Sequence, residues 1–174
     1  MFLEKNIFSS IIENTPLISI DLIVRNQSNE ILLGERLNKP AKSYWFVPGG
    51  RIYKDESIND AFSRISEDEI GIKSDIENAK FLGVYQHLYE DNVFNDNFST
   101  HYVVLGFELV IEEKLSLDTI QHKSQKWFKE KELLDNSKVH DNVKDYFKIE
   151  KGIRWQILYC VVEAEQDYGQ LVER

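Results

Sequence analysis

The residues best suited to chemistry lie in one stretch, "WFVPGGRIYKDESINDAFSRISEDEIGI", residues 45 to 72. Read as a helix at about 100° per residue, Ile58, Ala61, Phe62 and Ile65 share one apolar stripe. Glu69 follows Ile65 by one helical turn and falls on that stripe too. A carboxylate facing a core needs a partner, because an unpaired buried charge costs several kcal/mol or neutralises itself. The spacing by itself does not say what that partner is. Pro48 interrupts strand pairing, and Gly49–Gly50 lets the backbone adopt conformations closed to other residues. A carbonyl oxygen of that pair, unshielded by side chains, can approach a hard ion such as Mg²⁺. Glu56 stands just before the helix. Arg64 and Asp68 form an i,i+4 pair that serves equally well as a salt bridge on a solvated face.

Composition excludes some partners and leaves a metal-dependent site worth looking for. The chain carries a formal net charge of −9. That balance argues against docking on a nucleic-acid backbone, which calls for a basic face. An acidic protein still binds phosphate groups through a divalent cation and a few placed arginines. At 174 residues, 42% of them hydrophobic, the chain suits one soluble domain. No apolar run is long enough to span a bilayer, and "MFLEKNIFSSIIENTPLISI" lacks the pattern of a signal peptide. A cytoplasmic location is expected, with no membrane partner. The single cysteine, Cys160, cannot form an intrachain disulfide.

The elements that must position these residues can be placed coarsely. "PLISIDLIVRN" and "ILLGER" read as strands joined by a turn at "SNE", which predicts a hairpin. "SYWFVPGG" is a short aromatic strand ending in breakers. Ser57, with Asp60 three residues on, resembles a capping box, and Gly71 can end the helix in a left-handed conformation. "KFLGVYQHLY" and "HYVVLGFELVI" are further strands on either side of a polar loop. "QKWF" reads as a strand, "KELLDN" starts a helix, and "VHDNVKDYFKI" has helical spacing. "WQILYCVVEAE" fits a strand or a helix, with the spacing leaning towards helix. Strands and helices do not alternate strictly, so a doubly wound parallel sheet is disfavoured. The expected class is α+β, with helices packed on a mixed sheet.

Gly50, Glu56, Arg64, "ISEDEIGI" and their spacing resemble the Nudix box, with Gly50, Glu56, Arg64, Asp68, Glu69, Gly71 and Ile72 in register. The resemblance implies a Nudix-type α/β/α sandwich over residues 1–150, its capped helix being the catalytic one. Residues 151–174 form an extension of unplaced role, expected to pack on the same domain. Two positions depart from the box: Ile65 stands where the family has Glu, and Ser66 where it has an aliphatic residue. Losing a carboxylate at Ile65 removes a metal ligand and inserts hydrocarbon, so fewer ions are expected. Among Nudix proteins, GDP-mannose mannosyl hydrolases carry an aliphatic residue there and cleave the sugar C1–oxygen bond. The chain is similar to them in "TPLISIDLIV", "LLGER", "YWFVPGG", "GVYQH" and "THYVVLGF". Asp68 departs from that subfamily, where a small residue is expected.

Carried over by position, this resemblance implies one Mg²⁺ per subunit held by Gly49, Glu69 and Gln121, with His122 as general base. Histidine suits that work because its ordinary pKa lies near 6.5. Arg36 and Arg51 would face the diphosphate, Tyr102 would donate to it, and Asp21 and His87 would hold sugar hydroxyls. Phe2, Leu3 and Phe8 match nucleotide-contacting positions, with a homodimer expected. Taken alone, the arginines read equally as surface residues at strand ends, and Tyr102, Asp21 and His87 as satisfied core residues. The implied reaction is hydrolysis of a GDP-hexose to GDP and free sugar, with inversion at the anomeric carbon. The alternatives are a pyrophosphohydrolase giving GMP and a sugar phosphate, and a non-catalytic nucleotide-sugar sensor.

Overall fold

A computed structural model describes residues 3–94, 97–112 and 125–153. Their elements run α1 (Lys5–Asn14), β1 (Leu17–Arg25), β2 (Ile31–Glu35), β3 (Trp45–Phe46), β4 (Gly49–Arg51), α2 (Ile58–Ile70), β5 (Ala79–Tyr89), β6 (Thr100–Val110), β7 (Gln125–Phe128), α3 (Glu130–Asp135) and α4 (Asp141–Lys144). A 3₁₀ turn, Asp145–Phe147, continues α4.

The hairpin expected between the first two strands is present. Its turn is closed by the Asn26 side chain, whose oxygen accepts from the Ser28 and Glu30 amides, while Asn29 takes a left-handed φ of 60°. The sheet runs β3–β2–β1–β6–β5, with β4 also on β1 and β7 also on β2. Among the described strands only β1 and β6 run parallel, in register from Leu17 opposite Tyr102 to Arg25 opposite Val110. The sheet is therefore mixed, and the arrangement is α+β.

Period-two alternation along β1 sorts its residues between two buried layers. Ile20, Leu22 and Val24 face α2, meeting Ala61, Phe62, Ile65 and Ile70. Ile23 faces the other way, into a layer with Leu33, Val104, Leu133, Val143 and Tyr146. Phe62 is fully buried and meets Phe107 edge-to-face at 5.4 Å. Burying such a ring contributes about 2–3 kcal/mol. Asp21 lies between Leu22 and Ile20 in sequence, so it shares the face of Ile23. It is the one acid of β1.

The capped helix is as expected. Ser57 Oγ accepts from the Asp60 amide at 3.1 Å and donates to the Asp60 carboxylate at 2.7 Å. Gly71 ends α2 at φ 71°, its amide bonded to the Glu67 carbonyl. Ile58 is a correction: it is 48% exposed, because it opens the helix one turn before the sheet-facing pair Ala61–Phe62. Ser66 takes a buried place on the stripe instead. The N-terminal helix α1 was not anticipated, although Phe8, Ile11 and Ile12 have helical spacing. After α4, Gly152 and Ile153 return to β5, where Ile153 and Val84 exchange both backbone hydrogen bonds at 2.7 and 3.0 Å. "WQILYCVVEAE" lies outside the described residues. No helix among those described is long and apolar enough to cross a membrane.

Candidate active site

Strand β4 lies antiparallel on β1, placing Gly49 opposite Asp21 and Gly50 opposite Ile20. Neither glycine has a positive φ, so conformational freedom is not what they supply, contrary to the sequence reading. They supply space. A Cβ on Gly49 would stand 2.6 Å from Asp21 Oδ1, and one on Gly50 would stand 3.1 Å from the Ile65 side chain. Asp21 meets the same courtesy on its other side, since its partner on β6 is Gly106. Gly49 thus clears room for the carboxylate itself, while Gly106 clears room for the Tyr85 and Tyr146 rings.

Ile65 is 1% exposed, packed under Gly50. Ser66, the other departure from the box, donates to the Ser63 carbonyl and accepts from the Ser74 amide, tying the helix to the chain beyond it. Glu56 is committed to structure. Arg64 grips it through Nε and Nη2 and donates again to the Arg51 carbonyl at 3.0 Å, while Glu56 also accepts from the Tyr53 amide. The hydrogen bonds from Arg64 hold the Glu56 carboxyl below its ordinary range. Asp68 is a second, looser partner of Arg64 at 3.6 Å. Glu69 is half-buried at the end of α2 and close enough to Asp21 to raise its pKa.

Six sequence-identified residues, Asp21, Arg36, Gly49, Arg51, His87 and Tyr102, line a single cleft of about 130 Å³. Arg36 lies 4.1 Å from the Phe46 ring and donates to the Pro40 carbonyl at 3.0 Å. The loop that offers this carbonyl bends through left-handed conformations at Ala41 and Ser43, held by bonds between Arg36 and both Ser43 and Tyr44. Arg51 lies over Phe8 at 4.6 Å and near Tyr53 at 5.4 Å. Phe8 therefore reaches the site through Arg51, whereas Leu3 does not line the cleft. Among the described residues neither arginine is ion-paired with a carboxylate, so two guanidinium groups converge on the cleft with hydrogen-bonding capacity left for an anion.

The floor of the cleft holds a network that includes a residue the sequence reading passed over. Tyr146, from the 3₁₀ turn after α4, donates to Asp21 Oδ2 at 2.7 Å and stands 3.3 Å from His87 Nε2. Burial pushes the Asp21 carboxyl up to about 6, and the charge of Glu69 adds to the rise; Tyr146 and Arg36 oppose it. Burial, then Arg36, holds His87 down to about 4. Burial also raises Tyr102, against the pull of Arg36 and Arg51, so its hydroxyl keeps its proton at neutral pH. Tyr146 sits in "VKDYFKI", where helical spacing marks it as core. The signal that could have found it is the glycine inside "HYVVLGFELVI", a hole in a strand waiting for a neighbour's side chain.

The described donors suit a hard cation in kind. They are oxygens, from Gly49 and Glu69, with the Asp21 carboxylate against Gly49. They do not complete a site alone, for no group of three acid, histidine or cysteine side chains capable of holding a metal occurs among the described residues. The remaining expected ligand, Gln121, lies outside them, as do the expected base His122 and the nucleotide contact Phe2.

A mixed sheet between helical layers, with a capped helix ending in acids beside a glycine-lined cleft, defines the class of the Nudix fold. The chain matches the NUDIX domain over residues 15–148 and belongs to that family. It is 38% identical over 122 residues to the low-salt glycan biosynthesis protein Agl8 of Haloferax volcanii, covering 70% of this chain and 76% of that one. It is 26% identical over 129 residues to an RNA pyrophosphohydrolase of Orientia tsutsugamushi, covering 69% and 79%. In fold it is similar to the MutT protein of Methanosarcina mazei Go1, with a TM-score of 0.61 at 20% identity, covering 77% and 92% of the two chains. The NUDIX domain of Shewanella oneidensis NrtR, solved with ADP ribose, gives 0.56 at 15%, covering 82% and 94%.

Proposed function

We propose that this Nudix hydrolase cleaves a GDP-hexose, GDP-mannose first among them, to GDP and the free sugar by inverting substitution at the anomeric carbon. The observation that carries the reading is Ile65, buried under Gly50 where the family's pyrophosphohydrolases carry a metal-binding Glu. Hydrocarbon at that point leaves no room for a multi-metal cluster aimed at phosphorus. The cleft supports attack on carbon instead. Arg36 and Arg51 are free to take up charge that grows on a departing diphosphate, with Tyr102 as a neutral donor beside them. Asp21 and His87 offer acceptors for sugar hydroxyls in the same cleft. The likeness to a glycan biosynthesis protein supports a sugar-nucleotide substrate.

The reading includes one Mg²⁺ per subunit, held by Gly49, Glu69 and Gln121, which when bound would neutralise diphosphate charge. His122 would take the proton of the attacking water. A homodimer and a cytoplasmic location complete it, with neither nucleic acid nor membrane as partner. The product set tests the whole. Incubation with GDP-mannose and Mg²⁺ in ¹⁸O water should give GDP and label in mannose; GMP with mannose 1-phosphate would reject the reading in favour of a pyrophosphohydrolase.

A further inference from the structure

Tyr146 has one hydroxyl proton and, among the described residues, two candidate acceptors. The Asp21 carboxylate lies at 2.7 Å and His87 Nε2 at 3.3 Å, and a charged oxygen at the shorter distance takes the proton. The tyrosine oxygen then presents only lone pairs to His87, which is 4% exposed and must satisfy its buried ring nitrogen by donating. Resting on the GDP-hexose reading, we propose that Tyr146 is a positioning residue that fixes Asp21 and His87 as hydroxyl acceptors, holding His87 in its Nε2–H tautomer.

The consequence for the cleft is specific. Tyr146 takes one acceptor position of Asp21 Oδ2, so Oδ1, the oxygen lying against Gly49, keeps more of its acceptor capacity for a ligand. His87 keeps Nδ1 as an acceptor. Two fixed acceptors select a ligand portion rich in hydroxyl donors, as a hexose ring is, and do nothing for the diphosphate. The arrangement is held rigidly from the C-terminal side. Tyr146 is 4% exposed, its ring meets Tyr85 edge-to-face at 4.6 Å, and it passes over Gly106, where a Cβ would stand 3.2 Å from it. None of these Tyr146 contacts reaches Arg36, Arg51 or Tyr102, so Tyr146 can be changed without touching the groups that face the diphosphate.

The test is Tyr146→Phe, which keeps the ring and removes the hydroxyl. With ¹⁵N-labelled histidine, NMR of the wild-type enzyme should show His87 as the Nε2–H tautomer, and the variant should show that population shifted. In kinetics with Mg²⁺, KM for GDP-mannose should rise about tenfold, the worth of one hydrogen bond to a charged group, while Ki for GDP stays within about twofold. An Nδ1–H tautomer in the wild type, or equal weakening of GDP and GDP-mannose, would overturn the proposal. Should Tyr146→Phe not fold, Asp21→Ala tests it from the other end. The freed hydroxyl would then turn to His87 Nε2 and the ring would switch to Nδ1–H; an unchanged ring would overturn it. If the wild type turns over no GDP-sugar, the functional reading falls, and the ring measurement still decides what Tyr146 does.

Discussion

Arg36 and Arg51 are laid on aromatic rings and, among the described residues, neither is ion-paired with a carboxylate, so both keep donors for an anionic ligand. Replacing either by Ala should lower kcat/KM for the nucleotide sugar by about 10²–10³, the range for losing one donor to developing charge. Steady-state kinetics of the single variants checks this. Arg36→Lys should recover little, since an ammonium reproduces neither the planar contact on Phe46 nor the forked donors. Asp21 and His87 make a different prediction. His87 titrates near 4 in the folded chain against about 6.5 in the unfolded one, so its neutral form stabilises the fold at neutral pH and that stability is lost as pH falls from 6.5 towards 4. Asp21, raised to about 6 from 3.8, works in the opposite sense: its contribution is present at low pH and lost as pH rises through 6. Over the shared window the two nearly cancel. In Asp21→Asn the opposing carboxyl is gone and His87 acts in the same sense as His140, which burial also lowers, so urea-unfolding stability should rise by about 3 kcal/mol or more between pH 4 and 6.5, more steeply than in the parent.

At the scale of elements, α2 was readable because its signals are local. Ser57, Asp60 and Gly71 act within one turn of the helix ends, and the apolar spacing between them needs no knowledge of the sheet. Ser57→Ala should cost about 1 kcal/mol of stability, measured by denaturant midpoint, with kcat unaffected. Gly71→Ala should cost about 1 kcal/mol through its left-handed backbone alone, for nothing lies within 4 Å of a Cβ there. Gly106 is the informative contrast. Its substitution by Ala places a methyl 2.9 Å from the Tyr85 ring and 3.2 Å from Tyr146, so stability should fall by about 1–3 kcal/mol. KM for the sugar nucleotide should rise along with it, since Tyr146 must move off Asp21.

The whole molecule brings together what no single element holds. The cleft draws Asp21 from β1, Arg36 from the end of β2, Gly49 and Arg51 from β4, His87 from β5 and Tyr102 from β6. Installing the missing family acid, Ile65→Glu, should not convert the enzyme to a pyrophosphohydrolase. The new carboxylate would lie in a fully apolar layer under Gly50, and the expected result is a loss of several kcal/mol in thermal or urea unfolding, with no GMP formed.

Much of this is legible in the sequence alone. The helix, its caps, the hairpin, the strand order of appearance and the box residues follow from spacings shorter than a turn or a strand, because backbone geometry repeats on that length. The site residues Asp21, Arg36, Arg51, His87 and Tyr102 were reachable only through likeness to a family, since each alone reads as core or surface. What only the tertiary structure decided is what lies across from what. It turned Gly49–Gly50 from a flexible turn into a cleared space, gave Glu56 to Arg64, turned Ile58 outward, and carried Tyr146 over Gly106 onto Asp21. Those outcomes depend on contacts between residues far apart in the chain, and a sequence states which side chains exist while packing alone states which of them meet.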